Sequence, residues 1–138
     1  MKRITTLILG VLLCIACALS IGCVSSSLDG TYKFKTMTGE KNGETITVNV
    51  GEQFPADSAK FTVTEDFIVI ELKKDFTFML SSTSNQETAN IFGGKWEKDE
   101  NVLVLTPDGN VLNPIECEVK NKTITFELEG VNYVLQKV

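Results

Sequence analysis

Four cysteines have the most specific chemistry in this 138-residue chain, and no histidine accompanies them. Cys14 and Cys17 have the C-x-x-C spacing of redox and metal sites. Both lie in an apolar run from Ile4 to Ile21, where they are most simply small apolar side chains. Without histidine, the chain lacks the commonest general base and the commonest metal ligand. The sequence pairs no nucleophile or metal site with a base, so we expect no enzyme activity, no cofactor and no metal.

Cys23 stands at the end of a segment that has the layout of an export signal. Lys2 and Arg3 precede the apolar run, and the small residue Gly22 comes directly before Cys23. A basic start, an apolar centre and a small residue before a cut site are the features of a secretory signal. One alternative is an uncleaved anchor, because the run approaches the ~20 residues that a membrane helix needs. The other is an ordinary secretory signal without a lipid.

The residues around Cys23 resemble the lipobox of bacterial lipoproteins, in which the cysteine becomes the first residue and carries the lipid. Leu19 lies four residues before Cys23, whereas the family prefers a leucine three residues before it. The resemblance implies a signal peptide over residues 1–22, and a lipidated Cys23 and tether over residues 23–27. It also implies an exported protein of the bacterial cell envelope, anchored to a membrane through its lipid.

Cys17 is the less favoured site of lipid attachment. A cut before Cys17 would leave residues 18–21 as an apolar stub on the mature protein. A cut before Cys23 leaves Val24 and three serines, whose composition suits a flexible tether.

The charge of the mature chain excludes one class of partner. Residues 23–138 contain 11 lysines and all 18 acidic residues, which gives a net charge of −7. The lysines form no basic cluster along the sequence, so we expect no binding to nucleic acid.

From Leu28 onward, the sequence repeats short alternating segments separated by turn residues, without a helical pattern. Phe76, Phe78 and Leu80, for example, alternate with Thr77 and Met79. Antiparallel strands with one apolar face pack as a sandwich or close into a barrel. The short connections between strands favour an up-and-down meander. We therefore predict an all-β domain over residues 28–138, a meander of about eight to nine strands that closes into a barrel.

The least regular part of the pattern precedes residue 70. Thr45–Val50 is predicted as a more polar strand after a turn at Gly39–Gly43, and Phe61–Val63 leads into the apolar strand segment Phe67–Leu72. Gly51–Lys60 between them is predicted as a loop or one short helical turn. Ser82–Glu87 is predicted as a polar loop.

The order of the motifs resembles small bacterial lipocalin-like domains, whose centre runs F-x-F, then G-x-W, then L-x-L-T. The resemblance implies a small antiparallel β-barrel, often on an exported lipoprotein. Two departures are the missing glycine after Asp75 and Tyr32 in place of an opening tryptophan. The matching segments are residues 28–34, 75–78, 94–99, 102–106 and 131–137.

A closed meander of about eight strands leaves room inside for side chains or one small ligand. The first functional hypothesis is therefore a non-catalytic module that binds a small apolar ligand inside the barrel. The alternative for the same aromatic side chains is that they simply fill the core. The candidate ligand contacts are Phe34, Phe78, Phe92, Trp96, Phe126 and Tyr133.

Phe67, Val69 and Met79 exceed what one apolar face requires. Either Gly51–Lys60 covers them, or they form a surface patch that contacts an envelope or host protein. The second hypothesis is therefore a protein interaction module that acts through this outer surface. A third is an enzyme inhibitor that acts through Gly51–Lys60 or Ser82–Glu87.

Overall fold

The computed structural model describes residues 27–55, 60–110 and 112–138. The predicted signal peptide, Cys17, Cys23 and most of the predicted tether lie outside the described residues. The described part contains nine strands and one 3-10 turn at Asp108–Asn110. The strands are β1 Gly30–Lys41, β2 Glu44–Asn49, β3 Val69–Leu72, β4 Thr77–Ser84, β5 Glu87–Asp99, β6 Val102–Pro107, β7 Ile115–Lys120, β8 Thr123–Leu128 and β9 Val131–Lys137.

All strand pairings are antiparallel, and β1 pairs with β9 to close the sheet. Eight strands, β1 and β3 to β9, follow one another around the resulting barrel. This confirms the predicted all-β barrel. The ninth strand, β2, departs from the simple meander because it pairs with β1 beside the barrel rather than between two wall strands.

The length of β1 explains the position of β2. Its first residues, Gly30–Lys33, pair with β3, and its last six, Thr36–Lys41, pair with β2 on the same edge. The turn between β1 and β2 is Asn42-Gly43, with φ values of 55° and 80°. These positive angles suit a two-residue hairpin turn, which asparagine and glycine favour. The predicted turn at Gly39–Gly43 therefore begins too early.

Two further predictions about local structure are wrong in detail. The predicted segment Phe67–Leu72 is a strand only over Val69–Leu72, while Thr62 before it makes an isolated bridge with Gln53. The predicted polar loop at Ser82–Glu87 shrinks to Asn85-Gln86, because β4 and β5 remain paired up to Ser84 and Glu87. The polar residues Ser82–Ser84 continue the strand pairing, so a prediction from polar composition made the loop too long.

The alternating side chains fill the barrel. On β4, Phe78 and Leu80 are each 2% exposed, whereas Thr77 and Met79 are half-buried. Every second side chain of a strand faces the interior of the barrel, so one apolar face per strand builds the core. Fully buried residues from other strands complete it, among them Tyr32, Ile70, Leu103, Leu105, Ile124 and Leu135.

The barrel has two ends. We call the end that contains Ser27, the first described residue after Cys23, the proximal end, and the opposite end the distal end. The proximal end contains Ser27–Asp29 and the turns after β3, β5 and β7, together with the last residues of β9. The distal end contains the β1–β2 hairpin, the turns after β4 and β8, and the segment between β6 and β7.

Candidate functional site

An apolar cavity of about 160 Å³ lies at the distal end, between the β1–β2 hairpin, β9 and the chain that follows β2. It opens beside Glu40 and Lys41 at the tip of the hairpin. Its remaining lining comes from Met37, Gly39, Ile46, Val48, Phe54, Pro55, Val131 and Tyr133.

Strand register brings these residues together. Met37 is opposite Val48 on β2 and opposite Tyr133 on β9, so three strands contribute to one wall. Gly39 leaves room in that wall for the side chain of Val131. A Cβ atom at Gly39 would lie only 3.3 Å from Val131 Cγ2. The cavity therefore depends on β2, the strand that is not part of the barrel wall.

Tyr133 connects the cavity with the core. Its ring stacks on Phe126 with the ring centroids 5.2 Å apart, and Phe126 is 4% exposed. Burial raises the pKa of the Tyr133 hydroxyl, and the negative charge of Glu129 raises it further. The hydroxyl is therefore neutral and can donate or accept a hydrogen bond.

The polar groups at the mouth belong to the hairpin tip and the chain after β2. The Lys41 ammonium donates a 3.1 Å hydrogen bond to the carbonyl oxygen of Pro55. This bond joins the tip of the hairpin to the opposite rim of the cavity. In the described residues, no group of three or more carboxylates or thiols is arranged to hold a metal ion.

The aromatic residues that the sequence singled out do not form one site. Phe34, Phe78, Trp96 and Phe126 are buried in the packed core. Phe92 is half-buried, with its ring centroid 6.1 Å from that of Phe78. Of the six candidates, Tyr133 alone lines the distal cavity.

Sequence reasoning missed the other apolar side chains of the cavity. Ile46 and Val48 carry a visible signal, since they alternate with threonines on a strand. Met37 and Val131 carry none, because nothing local shows that β1 pairs with β2 on one edge and with β9 on the other.

Phe67, Val69 and Met79 are half-buried. Phe67 belongs to a cluster of four phenylalanine rings, with centroids 5.3 Å from Phe34 and 5.7 Å from both Phe54 and Phe61. Phe54 also stacks on Phe61 at 5.0 Å. The segment after β2 therefore contributes two of the three rings that pack against Phe67, and β1 contributes the third.

Comparison with known proteins supports the fold and names no function. No protein-family model and no curated protein matches the sequence. A crystal structure of an uncharacterized protein from Bacteroides eggerthii DSM 20697 is similar, with a TM-score of 0.50 and 11% identity. The match covers 81% of this chain and 100% of that chain. The structural similarity indicates a shared fold. Because the identity is this low, it does not identify the lipocalin-like family.

In the part of the chain that the structure describes, no helix has the length and hydropathy needed to cross a membrane.

Proposed function

We propose that the protein is a membrane-anchored, non-catalytic component of the bacterial cell envelope that binds a small apolar group in its distal cavity. The observation that carries the ligand proposal is the apolar lining of this cavity, built by three strands and Phe54. Apolar surface removed from water supplies about 25 cal/mol per Å², which is the driving force for such binding.

The volume of the cavity limits the ligand. A drug-sized ligand needs roughly 300 Å³ or more, whereas this cavity has about 160 Å³. An engineered apolar cavity of about 150 Å³ holds benzene. The proposed ligand is therefore the size of a single ring or the end of a longer acyl or isoprenoid chain, with the remainder outside the mouth.

The anchor proposal rests on the sequence before the barrel. The lipobox-like residues end at Cys23, and Ser27 follows four residues later. Lys137 Nζ donates a 2.7 Å hydrogen bond to the Ser27 carbonyl oxygen, and the Tyr32 hydroxyl donates a 2.8 Å bond to that of Leu28. These bonds fix the start of the domain to the barrel and leave a short tether.

The absence of catalysis is also part of the proposal. Cys117, the nucleophile with the strongest intrinsic reactivity in the domain, is 1% exposed. Burial raises the pKa of its thiol to about 12. Reaction as a nucleophile requires the thiolate, which this environment suppresses.

Methyl NMR tests ligand binding directly. The mature chain with Cys23→Ser is titrated with benzene and with hexanoate, and methyl shifts of Ile46, Val48 and Val131 are followed. Trp96 fluorescence is a poor reporter of this site, because Trp96 lines a depression at the proximal end. We expect saturable shifts confined to the cavity methyls.

A pair of variants on β2 makes this test specific. Ile46→Phe fills the cavity and should abolish the shifts at Val48 and Val131. Thr47→Phe places the same ring on the exposed face of the same strand and should leave them unchanged. Absence of saturable shifts in the parent chain would refute the ligand proposal.

Mass spectrometry of the mature N-terminus tests the anchor. We expect a chain that begins at Cys23 and carries acyl groups, and Cys23→Ser should release the protein from the membrane fraction. A mature chain that begins elsewhere and carries no lipid would contradict the proposal.

A further inference from the structure

The proximal end has an exposed aromatic ring beside a depression. Phe76 is 60% exposed, and its ring centroid lies 5.0 Å from that of Trp96. The depression has a volume of about 300 Å³ and is lined by Ser27, Leu28, Asp29, Lys74, Phe76, Trp96 and Lys98. Leu28, Phe76 and Trp96 give it an apolar floor, and two lysines flank it.

The backbone at Phe76 is strained. The turn Lys73–Phe76 is closed by a 3.1 Å hydrogen bond from the Phe76 amide to the Lys73 carbonyl oxygen, and Phe76 itself has φ of 65°. Glycine is preferred at this left-handed position of a hairpin. An L-residue there costs roughly 1–2 kcal/mol, and bulky residues are outliers. The departure noted in the sequence, a residue other than glycine after Asp75, is therefore a phenylalanine held against its preference.

Phe76 differs from the other residues in this conformation. Among the described residues, eight residues other than glycine have positive φ, and the remaining seven are asparagine, glutamine, glutamate or lysine. Strain of this kind persists where the surrounding structure enforces it and often marks a functional surface. Water-exposed phenylalanine at a strained turn has no role in the core.

Charge is distributed unevenly between this end and the rest of the mature chain. We take the proximal end as residues 27–31, 71–78, 98–103, 117–124 and 136–138, since Val102 and Leu103 pair with Glu118 and Cys117. It carries six lysines and six acidic residues, a net charge of 0. The remaining residues after Gly22 carry five lysines and 12 acidic residues, a net charge of −7. An anionic surface therefore repels the rest of the protein and does not repel this end.

The short tether after Cys23 determines what this surface would lie against. Ser27 lies four positions after Cys23, and an extended chain spans at most ~3.6 Å per residue. Ser27 itself lines the depression. A lipid on Cys23 would therefore hold Phe76 and its lysines next to the bilayer, at a distance of roughly 15 Å or less.

We infer that the proximal end docks on an anionic phospholipid bilayer, with Phe76 inserted at the interface and Lys74 and Lys98 against the headgroups. This inference rests on the proposed anchor at Cys23 and adds an orientation to it. The distal cavity then faces away from the membrane. Tryptophan is enriched at the membrane interface, phenylalanine is among the residues by which interfacial segments insert there, and lysine stems extend their ammonium groups towards phosphates.

The single tryptophan of the chain reports on this contact. The mature acylated protein, which begins at Cys23, is reconstituted into vesicles of phosphatidylcholine with or without phosphatidylglycerol, both containing brominated acyl chains. Bromine quenches tryptophan only at close range. We expect Trp96 emission to fall by roughly half in the anionic vesicles and clearly less in the neutral ones, with the difference reduced by high salt.

Variants separate docking from tethering. Phe76→Asn keeps a residue that tolerates positive φ and should remove most of the quenching. Ile91→Asn removes an apolar side chain of similar exposure, 52%, from β5 and should leave it intact. Lys74→Gln with Lys98→Gln should weaken quenching in anionic vesicles. Lys35→Gln with Lys60→Gln changes the net charge equally, away from the proximal end, and should not.

The outcomes distinguish this inference from the anchor on which it rests. Acylated Cys23 without quenching, or with equal quenching in Phe76→Asn, overturns the docking and leaves the anchor intact. A mature protein without lipid on Cys23 overturns the anchor, and the docking with it. Circular dichroism of each variant confirms that the barrel is retained.

Discussion

The indole nitrogen of Trp96 donates a 2.9 Å hydrogen bond to the carbonyl oxygen of Lys73. The bond ties the middle of the β5–β6 pair to the turn after β3, and Trp96 is 8% exposed. A second bond runs in the same region, from the Trp96 amide to the Phe76 carbonyl oxygen at 2.8 Å. One residue therefore fixes both the core and the exposed turn.

Trp96→Phe should lower the free energy of unfolding by about 2–3 kcal/mol, because it removes the hydrogen bond and leaves a cavity. Urea denaturation followed by circular dichroism measures the change. Val50→Ala, at a side chain that is 46% exposed, should cost less than about 0.5 kcal/mol. Equal effects from the two substitutions would contradict the structural role of the indole.

Gly94→Ala should be among the most damaging single substitutions in the barrel. A Cβ atom at Gly94 would lie 2.0 Å from the Thr106 carbonyl oxygen, so β5 and β6 would have to separate. We expect a loss of more than about 3 kcal/mol, which is the range of severe overpacking.

Gly51→Ala is the matched control for Gly94→Ala. A Cβ atom there would meet nothing within 4 Å, and the only penalty is the positive φ of 92°. We expect a cost of about 1 kcal/mol. Thermal denaturation of both variants makes the comparison, and a milder effect at Gly94 would refute the close approach.

Cys117 should make stability depend on pH in the alkaline range. The folded pKa is raised from 9.0 to about 12 by burial. Its contribution is therefore complete below pH 9 and is lost as pH rises towards 12, by about 1.4 kcal/mol per unit. The unfolded chain ionises first, which favours unfolding.

Cys117→Val removes this ionisation and keeps a small apolar side chain. Between pH 8 and pH 10, the parent chain should lose about 1.4 kcal/mol more stability than the variant. Guanidinium denaturation at both pH values measures the difference. Identical losses would show that the thiol ionises normally in the folded protein.

Phe67→Ala should cost about 2–3 kcal/mol, since it removes the ring that contacts Phe34, Phe54 and Phe61. Ile91→Ala is the control, because that side chain is 52% exposed and should contribute less than about 0.5 kcal/mol. Urea midpoints of the two variants decide the matter. A negligible effect at Phe67 would mean that the ring cluster does not stabilise the domain.

Phe76→Asn should change the free energy of unfolding by less than about 1 kcal/mol. It relieves the strain of positive φ and gives up the contact of the exposed Phe76 ring with the buried ring of Trp96. Urea denaturation tests this balance. A large loss of stability would show that Phe76 serves folding rather than a surface.

The sequence predicted the barrel because alternation is a local property. Phe78 and Leu80 face the core and Met79 does not, as period-two alternation on β4 requires. The motif around Gly94 and Trp96 has a structural role. Gly94 allows the backbone of β6 to approach closely, and Trp96 fills the core.

The distal cavity could not be predicted, because it depends on pairings between distant segments. Ile46 and Val48 alternate just as they would in a wall strand, so the sequence does not show that β2 stands outside the barrel. Its position follows from the 12 residues of β1, long enough to pair with both β3 and β2 on one edge. On the other edge, the pairing of β1 with β9 places Val131 beside Gly39.

The pairing of β1 with β9 also sets when the domain can fold. Phe34 on β1 is paired with Leu135 on β9, about a hundred positions away in the chain, and such non-local contacts make folding slow. Closure has to wait until β9 has been synthesised. For a chain that is exported as proposed, this delay keeps the polypeptide unfolded during its synthesis, and therefore competent for translocation.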